Sequence, residues 1–586
     1  MRFRTCGDSG VLVELADLDE TLRVFAALRS SKAAGIPGSN ALDAVTQLIP
    51  AARTILISFD PLLASRADII AAVRALDVST DVCRRSRTVE IPVIYDGEDL
   101  ADIAQLLGVS VPQVIARHCA HAWSVAFVGF APGFAYLTGG DEIFDVPRRK
   151  VPRLSVPAGA VGLAGTFSGV YPRVSSGGWQ LLGHTEKTMW DEHADPPALL
   201  QPGDAVRFTP ARERVVAGTA SCWSDSPESD KRCGPDSSIM ATTALEATRP
   251  GLLTTFQDDG RCAADMGVTG SGAADPRSSH LANALVGNPT DVPVLEITGG
   301  GVRFTAHGDM VVAVAGAPAP ITIIGKTTWN SGEGAQRNEG NQPHASERTV
   351  VIRQEAMLLR DGEVIEIGVP TSGLRDYLAV RGGFDVARSL GSAATDTMSG
   401  IGPKPVAARQ LLPVLSPIGR HPSTMRGPRP NGGHGNSIGL PEPWPEHLPK
   451  SGDITELHVR LGPRDDWFTA TGISDFFDQI WTVTAQSNRV GLRLQGERSL
   501  ERRAATELAS EATLPGSIEV PTSGQPVIFL RDQPVTGGYP VIAVLTSESL
   551  ILAGQLPPGA KIRFRMSDSP ESDKQNTQSQ EHREAR

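Results

Sequence analysis

The sequence feature that most constrains the fold is an internal repeat, in which three short segments recur in the same order near the end of the chain. Pro157–Val161 matches Leu514–Ile518, Ser176–Trp179 matches Thr536–Tyr539, and Leu200–Phe208 matches Leu556–Phe564. Chance could produce any one match, but three at similar spacing indicate two copies of one module. The 60 glycines and 44 prolines favour short strands joined by turns. Because short strands must hide their edges, we predict that each copy is a small closed or nearly closed β-barrel.

Charge and cysteine usage argue against several classes of protein. The net charge of −11, without a basic stripe, argues against nucleic acid or an anionic membrane as the main partner. The N-terminal residues 1–8 lack the apolar core of a signal peptide, and no stretch is apolar enough to cross a bilayer. The six cysteines form no CxxC pair, which is typical of reduced thiols rather than of disulfides or a zinc site. We therefore expect a cytoplasmic protein without a metal; homo-oligomerisation remains open.

The chain is too long, at 586 residues, for a single core. Its texture predicts a mainly β fold with a small α+β unit at the N-terminus, because residues 1–85 alternate short apolar runs with helix-like stretches. The predicted domains then follow in chain order: a β-barrel over 86–215, a flexible linker over 216–245, the first β domain of the second half over 246–425, a loop or junction over 426–453, a second β-barrel over 454–566 and a disordered tail over 567–586.

Two polar segments share one octapeptide. Ser-Asp-Ser-Pro-Glu-Ser-Asp-Lys occurs at 224–231 and again at 567–574, where it opens the tail. A segment so poor in apolar residues cannot offset its ordering entropy, so we predict that both copies are disordered. The polar stretches 331–347 and 426–439 are predicted to be disordered loops or a domain junction.

Two cofactor motifs are each incomplete. Residues 320–327 end like a phosphate-binding loop, but Pro320 replaces the first glycine and has no amide hydrogen to offer a phosphate. Residues 355–359 resemble the context of biotin attachment, but Leu358 stands where the lysine is needed. We expect a strand at each place, and no covalent biotin on this chain.

The first half contains two candidate site features near its centre. The two Gly-Phe steps of 127–137 predict a bent backbone under aromatic rings, which is either a core turn or the wall of a pocket. A cationic cluster follows, formed by Arg148, Arg149, Lys150 and Arg153. Because Pro147 and Pro152 keep that segment extended, its cations could converge on an anionic substrate, although a solvated surface would show the same pattern.

Further candidates lie on turns in both halves. The glycines Gly177 and Gly178 could present backbone amides to an oxyanion, or form a plain hairpin, and His184 lies shortly after them. The histidine His118 falls on a predicted helix, where a structural role is the commoner one. In the second half, 257–261 and 488–494 place arginines beside amide or carboxylate groups. These could recognise a substrate carboxylate, or serve in capping and on the surface.

These motifs carry a family resemblance over about nine-tenths of the chain. Residues 2–208 resemble the B subunit of 5-oxoprolinase, which is related to allophanate hydrolase subunit 1, through 129–137, 147–153, 156–165 and 177–185. Residues 248–565 resemble the C subunit of 5-oxoprolinase, related to allophanate hydrolase subunit 2, through 251–261, 283–288, 378–391, 486–496 and 537–540. The chain therefore resembles a fusion of the two subunits.

The resemblance implies tandem cyclophilin-like β-barrels, a fold that also forms the carboxyltransferase part of urea carboxylase. It implies ATP-dependent opening of the 5-oxoproline lactam to glutamate, together with a separate A subunit, and a chain that is inactive alone. The ATP site could be shared with that partner. The residues expected to act in catalysis are Lys150, Arg153 and His184. Those expected to bind substrate are Gly177, Gly178, Gln257, Arg261, Asn488 and Arg489.

The chain departs from the family pattern at several polar positions. Phe167 and Ser168 stand where a Gln-Thr pair is expected, as do Pro534 and Val535 in the second half. The remaining departures are Ser176 for proline, His184 for arginine, Ala393 and Ala394 for an Arg-Ser pair, and Glu519 for glutamine.

Three functions fit these observations. The first is the fused B/C component of a 5-oxoprolinase acting on a small amide. The second is the carboxyltransferase component of a urea carboxylase-like system, with biotin carried on another chain. The third is a non-catalytic regulator that binds a histidine kinase, as one branch of the family does.

Overall fold

The computed structural model describes residues 1–34, 41–78, 87–149, 151, 153–212, 243–325, 348–415, 439–503 and 508–567. The chain divides into two compact units. One, the inserted unit, is Cys83–Thr242, and the other, the discontinuous unit, joins Met1–Val82 to Thr243–Arg586. The polar segments at 224–231 and 331–347, the tail from 568 onwards and nearly all of 426–439 lie outside the described residues, as does Lys150.

The chain begins with a four-stranded antiparallel sheet that carries two helices, as expected for the small α+β unit. Its elements are β1 (Arg2–Cys6), β2 (Gly10–Glu14), α1 (Leu18–Ala34), a short 3-10 helix (Ala41–Ala44), β3 (Val45–Pro50), β4 (Thr54–Phe59) and α2 (Arg66–Arg74), with strand order β1-β2-β4-β3. One face buries Val11, Val13, Ile55 and Ile57 against residues of the helices. The helix α2 begins at a capping box between Ser65 and Asp68, which satisfies its first backbone donors.

The inserted unit is a β-barrel. Its elements are β5 (Thr88–Val93), α3 (Leu100–Leu107), α4 (Val111–Ala120), β6 (Trp123–Val128), β7 (Ala135–Thr138), β8 (Arg153–Val156), β9 (Ala160–Ala164), β10 (Phe167–Val170), β11 (Ser175–Gly177), β12 (Gln180–His184) and β13 (Ala205–Pro210). Seven strands follow the order β12-β9-β10-β7-β6-β13-β5, and β8 pairs with β11 as a separate two-stranded ribbon. A bridge between Ile94 and His184 joins the two ends of the seven-stranded sheet, so the barrel closes.

The middle of the chain forms two packed sheets within the discontinuous unit. The elements are β14 (Ala244–Arg249), β15 (Leu253–Gln257), a 3-10 helix (Ala264–Met266), α5 (Pro276–Val286), β16 (Val294–Thr298), β17 (Val302–His307), β18 (Met310–Gly316), β19 (Ile321–Ile324), β20 (Arg348–Val351), β21 (Ala356–Leu359), β22 (Val364–Ile367), β23 (Arg375–Val380) and β24 (Gln410–Pro413). The sheet orders are β20-β19-β22-β17-β14-β24 and β15-β16-β23-β18-β21. The two expected strands are present, because 321–324 is β19 and 356–359 is β21.

The end of the chain forms a second barrel. Its elements are β25 (Ile454–Leu461), a 3-10 helix (Asp465–Trp467), α6 (Ala470–Asp478), β26 (Trp481–Val483), β27 (Gly491–Gln495), β28 (Glu511–Ala512), β29 (Ser517–Glu519), β30 (Val527–Phe529), β31 (Thr536–Gly537), β32 (Val541–Leu545), α7 (Ser547–Gly554) and β33 (Lys561–Met566). The closed order is β25-β32-β29-β30-β27-β26-β33, and β28 pairs with β31 as a ribbon. Strand for strand, this is the order of the first barrel, so the repeat seen in the sequence is one β module used twice.

The N-terminal sheet packs on the second barrel, far along the chain. Its second face places Cys6, Leu12 and Leu56 in one buried cluster with Ala512 and Leu514. Ion pairs border the contact: Arg464 meets Glu14 at 2.9 Å, Arg4 meets Asp466 at 2.8 Å, and Arg460 meets Asp8 at 2.7 Å. Met1–Val82, nearly all of the segment 1–85 that is predicted as a domain of its own, therefore shares one compact unit with the second half. Of the helices that the structure describes, none is both long and apolar enough to cross a membrane.

Candidate functional site

The two barrels have corresponding corners, so each candidate site can be located by its place in the module. In the first barrel Gly97 donates its N–H to Leu182 on β12 at 3.1 Å. In the second, Gly462 donates to Ile542 on β32 at 2.8 Å. A Cβ at either glycine would overlap the strand backbone beside it, so only glycine fits at this close approach. The residue two positions later is Asp99 in the first barrel and Arg464 in the second.

The carboxylate of Asp99 is the centre of the polar cluster in the first barrel. It is almost fully buried and accepts hydrogen bonds from Arg153 Nη2 at 2.8 Å, from the Leu181 N–H at 2.7 Å, and from Arg149. Burial alone would raise the pKa of Asp99, but the hydrogen bonds from Arg153 and Leu181 and the charges of both arginines hold it below its ordinary value. Asp99 is therefore ionised and fixes two guanidinium groups in place.

The arginine cluster, which we define as Arg148, Arg149 and Arg153, lies beside the glycine turn. Arg153 is in register with Gly177 across the β8–β11 ribbon, and the Arg149 N–H donates to the Gly178 carbonyl at 2.8 Å. The hydrogen bond to Asp99 raises the pKa of Arg153. Arg148 is exposed and makes no ion pair among the described residues. Arg153 also pairs with the exposed Glu98 at 3.1 Å. Three cations against two carboxylates leave one surplus positive charge, which suits an anionic ligand.

The predicted residue His184 lies apart from this cluster. It ends β12, whereas Gln180, next to the glycine turn, begins that strand. At about 3.3 Å per residue the two are roughly 13 Å apart. The His184 ring contacts Asp96, with 2.9 Å between Nδ1 and Oδ1, and both side chains are exposed. The structure thus brings together Arg153, Gly177 and Gly178 but not His184, whose catalytic role stays a prediction.

The aromatic turn of the first barrel belongs to its core. Phe134 is buried, with its ring edge-on to Tyr136, Tyr171 and Trp179 at centroid distances of 5.1 to 5.3 Å. Phe130 has a φ of 64°, an uncommon angle for a residue with a side chain. A Cβ on Gly177 would overlap the Tyr171 hydroxyl, so the aromatic group also shapes the glycine turn.

The histidine of α4 is a core residue. His118 is fully buried, with Nδ1 2.7 Å from the Tyr95 hydroxyl and Nε2 2.9 Å from the Ser168 hydroxyl. Its ring stacks on Phe208, and burial lowers the pKa of His118 to about 3. The ring is therefore neutral and cannot reach solvent, which is a structural role.

Two residues of the second half that are predicted to bind substrate hold a loop of the protein in place. Gln257 is fully buried, and its Nε2 donates to Thr255 Oγ1 and to the Thr395 carbonyl, both at 3.1 Å. Arg261 is buried and donates to the Ala394 carbonyl. Next to them, Asp258 accepts from Ser392 Oγ at 2.6 Å and from the Ala393 N–H at 2.7 Å. This part of the site fastens the 392–396 loop, and a substrate role for Gln257 and Arg261 stays a prediction.

The predicted carboxylate clamp Arg489 is engaged by carboxylates of the protein itself. It is fully buried and bonds Asp532 through Nε at 3.0 Å and Nη2 at 3.1 Å, the Gly272 carbonyl at 2.8 Å, and Glu296. Burial opposes its charge, but Asp532 and Glu296 raise the pKa of Arg489. The adjacent Asn488 accepts from the Val490 N–H at 2.9 Å and so closes its own turn. In this arrangement Arg489 joins the second barrel to the middle of the chain. A substrate role for Asn488 and Arg489 stays a prediction.

The second barrel carries a reversed ion pair at the corner that Asp99 occupies in the first. Arg464 donates from Nε to both carboxylate oxygens of Glu511, at 3.1 and 2.9 Å, and also contacts Glu14. Glu511 is in register with Gly537, as Arg153 is with Gly177. Burial alone would lower the pKa of Arg464, but the hydrogen bonds and charges of Glu511 and Glu14 raise it. Burial raises the pKa of Glu511, and the hydrogen bonds and charge of Arg464 act against that shift. The Arg464 guanidinium therefore stays charged, and both side chains are buried.

Glu519 is a second buried acid in the same barrel. It lies on β29, and its Oε1 has no hydrogen-bond partner among the described residues. Burial raises the pKa of Glu519 to about 8, although the Tyr539 N–H and the charge of Arg502 act against the shift. It is therefore largely protonated near neutral pH, and a neutral carboxyl can donate a hydrogen bond as the amide of the expected glutamine would.

Sequence reasoning missed the residues that hold both corners. Asp99 was indistinguishable from an ordinary acid at the start of a helix, and Arg464 and Glu511 are far apart in the chain. The available signal was the glycine two positions before Asp99 and Arg464, together with the aligned glycine pairs at 177–178 and 537–538. Once the two copies of the repeat are aligned, those positions predict a contact.

Comparisons with known proteins agree with the two-part organisation. A family model described as carboxyltransferase domain, subdomain A and B, matches residues 266–566, and one described as carboxyltransferase domain, subdomain C and D, matches residues 1–200. The crystal structure of TTHA0988 in space group P6522 is similar with a TM-score of 0.73 and 29% identity, covering 95% of this chain and all of that one. The prediction of a mainly β fold with barrels is confirmed.

Curated relatives match each half separately. The chain is 50% identical over 133 residues to the B subunit of 5-oxoprolinase from Escherichia coli O157:H7, which is 22% of this chain and 61% of that protein. It is 30% identical over 321 residues to the C subunit of 5-oxoprolinase from Escherichia coli strain K12, which is 55% of this chain and 90% of that protein. The resemblance to a fusion of the B and C subunits is confirmed.

Proposed function

The chain belongs to the carboxyltransferase-domain family, and from this premise we propose that it is the fused B/C component of an ATP-dependent 5-oxoprolinase. In this proposal it opens the lactam of 5-oxoproline to glutamate only together with a separate chain, a homologue of the A subunit of 5-oxoprolinase. One observation carries the proposal: the relatives that match the two halves are the B and C subunits of one enzyme, joined here in series.

The arginine cluster supports a role in holding an anionic substrate. 5-Oxoproline carries one carboxylate next to its lactam ring, and charged hydrogen bonds from guanidinium groups suit such a group. Arg149 and Arg153 are held by the buried Asp99, so their geometry is set before a ligand arrives. We assign Arg153 and Arg149 to binding and orientation of the substrate carboxylate, with Lys150 beyond the described residues as a further candidate.

Residues 320–325, the described part of the incomplete phosphate-loop motif, do not form a phosphate cradle. The one stretch that resembles a phosphate loop in sequence begins with Pro320 and continues as strand β19, which leaves no cradle of free amides before residue 325. A phosphoryl group needs several backbone or cationic donors converging on it. We propose that the A-subunit homologue contributes groups that bind ATP.

A second candidate function rests on the family models. Both are described as carboxyltransferase domains. In that case the chain would transfer a carboxyl group from biotin on another chain to a small acceptor such as urea, since Leu358 on β21 has no amine to which biotin could be attached. The arginine cluster would then bind the carboxylate of the carboxylated ligand through the same charged hydrogen bonds.

The test is release of glutamate from 5-oxoproline in the presence of ATP. We expect none from the isolated chain, and turnover when the A-subunit homologue is added. Arg153→Ala should then lower the rate about ten- to a hundredfold, since a charged hydrogen bond to a carboxylate is worth about 1.5–3 kcal/mol. Arg303→Ala, which removes an exposed ion pair to Glu366, is the matched control and should change little.

Other outcomes would exclude the proposal. Turnover by the isolated chain would show that it has a nucleotide site of its own. If the mixture is inactive but the chain transfers the carboxyl group of free carboxybiotin to urea, the second candidate takes its place. Failure of both assays with a folded chain that binds a histidine kinase would favour a regulator.

A further inference from the structure

The same ribbon is covered in one barrel and bare in the other. In the second barrel the β28–β31 ribbon is buried: Ala512 is 6% exposed and packs with Leu12 and Leu56 of the N-terminal sheet. In the first barrel the β8–β11 ribbon has the corresponding position, and Leu154 follows Arg153 as Ala512 follows Glu511. Leu154 is 95% exposed.

Leu154 is part of an apolar surface. Val151, just before β8, is 76% exposed, and Val174, just before β11, is 65% exposed. We call Val151, Leu154 and Val174 the ribbon patch. Val174 precedes Ser175, which is in register with Val156, so Val174 adjoins one strand of the ribbon and Leu154 lies on the other. A continuous exposed apolar surface is uncommon on a monomer unless another surface covers it.

We propose that the ribbon patch is the docking surface for a separate protein chain, whose contacting face is an apolar β-sheet with carboxylates at its rim. The occupant of the corresponding surface has that chemistry. The N-terminal sheet presents Leu12 and Leu56 to the second barrel, and its Glu14 and Asp8 pair with Arg464 and Arg460 at the border. Among the residues that the structure describes near the ribbon patch, Arg148 is an exposed cation, which suits a partner carboxylate.

The position of the patch also indicates what docking would accomplish. Leu154 is the neighbour of Arg153, so a chain seated on the patch would lie against the arginine cluster and exclude water from it. Exclusion of water strengthens every charged hydrogen bond there. Resting on the proposed function, this inference identifies the occupant as the A-subunit homologue, which would complete the substrate site as it docks.

The experiment measures binding of the full-length chain to the A-subunit homologue of the same organism by sedimentation velocity and biolayer interferometry. Leu154→Asp and Val174→Asp should each weaken the affinity at least tenfold, because they place a charge in the centre of an apolar contact. Arg148→Glu should weaken it less and reduce its dependence on salt. Leu252→Asp is the matched control, since Leu252 is 82% exposed in the discontinuous unit, and it should bind like the wild type.

The outcomes separate this inference from the proposed function. If the wild type binds the partner and both aspartate variants bind equally well, the patch is not the docking surface, although the proposed function stands. If the wild type self-associates and Leu154→Asp abolishes this, the occupant is a second copy and the inference is overturned. If the mixture neither binds nor turns over, the proposed function fails and takes this inference with it. Unchanged circular dichroism and melting temperature of each variant ensure that lost binding is not lost folding.

Discussion

The two barrels have one strand order but opposite charges at the same corner. In the first, Asp99 on the loop after β5 meets Arg153 on the ribbon; in the second, Arg464 on the loop after β25 meets Glu511 on the ribbon. In both copies of the module two side chains join the ribbon to the barrel. Either of the two can be the acid. An ion pair can form in either direction, since the attraction depends only on the opposite signs and the separation.

The two barrel cores also share one arrangement built from different residues. His118 in the first barrel and Phe476 in the second each stack on a phenylalanine of the last strand, Phe208 and Phe564, with centroids 4.3 Å apart. In both, a tryptophan indole N–H donates to the backbone carbonyl of that residue, from Trp123 at 3.0 Å and Trp481 at 3.1 Å. A histidine replaces the phenylalanine only where Tyr95 and Ser168 satisfy its two nitrogens.

The largest expected effect concerns Glu519, a buried acid that the first barrel lacks, since Gly162 stands at the aligned position. The folded state raises the pKa of Glu519 from 4.5 to about 8, so it binds more protons than the unfolded state between those values. Its contribution to stability is therefore full below about pH 4.5 and is lost as pH rises towards 8. Glu519→Gln should gain stability relative to wild type across that window, by up to about 5 kcal/mol, at about 1.4 kcal/mol per pKa unit.

Urea unfolding of wild type and variant at a series of pH values checks this difference. The control is Glu497→Gln, at an exposed glutamate of the same barrel. Its free energy of unfolding should not diverge from that of the wild type as the pH rises. Hydrogen exchange resolved by peptide assigns the effect to the discontinuous unit. A constant difference between Glu519→Gln and wild type from pH 4.5 to 8 would show that Glu519 is ionised in the folded protein.

A smaller effect distinguishes the two ion pairs. Arg464→Ala leaves Glu511 buried without the cation that hydrogen-bonds to it, and breaking a buried pair in this way typically lowers the free energy of unfolding by about 3–5 kcal/mol. Arg153→Ala should lower it by only about 1–2 kcal/mol, since Asp99 retains Arg149 and the Leu181 N–H.

The reversal itself can be tested with the double variant Arg464→Asp with Glu511→Arg. This change gives the second corner the polarity of the first, but it places an acid near Glu14, which now contacts Arg464. The double variant should recover part of the loss of Arg464→Ala. Equal losses for Arg464→Ala and Arg153→Ala in thermal and urea unfolding would mean that the two corners are not energetically distinct.

The smallest effect concerns the core histidine, measured at constant pH 7.5. His118→Phe makes the first core resemble the second but leaves the buried Ser168 hydroxyl without its partner, which should lower the free energy of unfolding by about 1–3 kcal/mol. Adding Ser168→Ala should restore most of that loss, because the unsatisfied hydroxyl is removed. If the double variant is no more stable than His118→Phe alone, the loss comes from packing rather than from the hydrogen bond.

Much of the fold could be predicted because each segment of the repeat is a short contiguous stretch that can be recognised in the sequence alone. Three aligned segments predicted two like modules, and turn residues predicted their short strands. The contact of the N-terminal sheet could not be predicted from pattern alone, because its partners, Ala512 and Leu514, lie far along the chain. One signal was present in the sequence: β4 has Ile55 and Ile57 on one face and Leu56 on the other, so both of its faces carry apolar side chains. The structure buries every residue of this strand, more than a sheet packed on one face requires.

The candidate site was predictable only in part. Consecutive cations and paired glycines are visible in a sequence, and the structure does place Arg153 beside Gly177. Whether an arginine meets a substrate or a protein carboxylate depends on the residue across from it. For Arg489 that residue is Asp532, and for Arg153 it is Asp99, both separated from it by dozens of positions.

The discontinuous unit has a consequence for the order in which the chain is made. Leu12 and Leu56 leave the ribosome roughly 460–500 residues before Leu514, which at about 5–20 residues per second is a delay of about 20–100 s. During that interval one face of the N-terminal sheet is apolar and has nothing to cover it, while the inserted barrel can already fold. The first segment to be synthesised must therefore be among the last to be completed, and a nascent chain is most exposed to aggregation or chaperone capture in that interval.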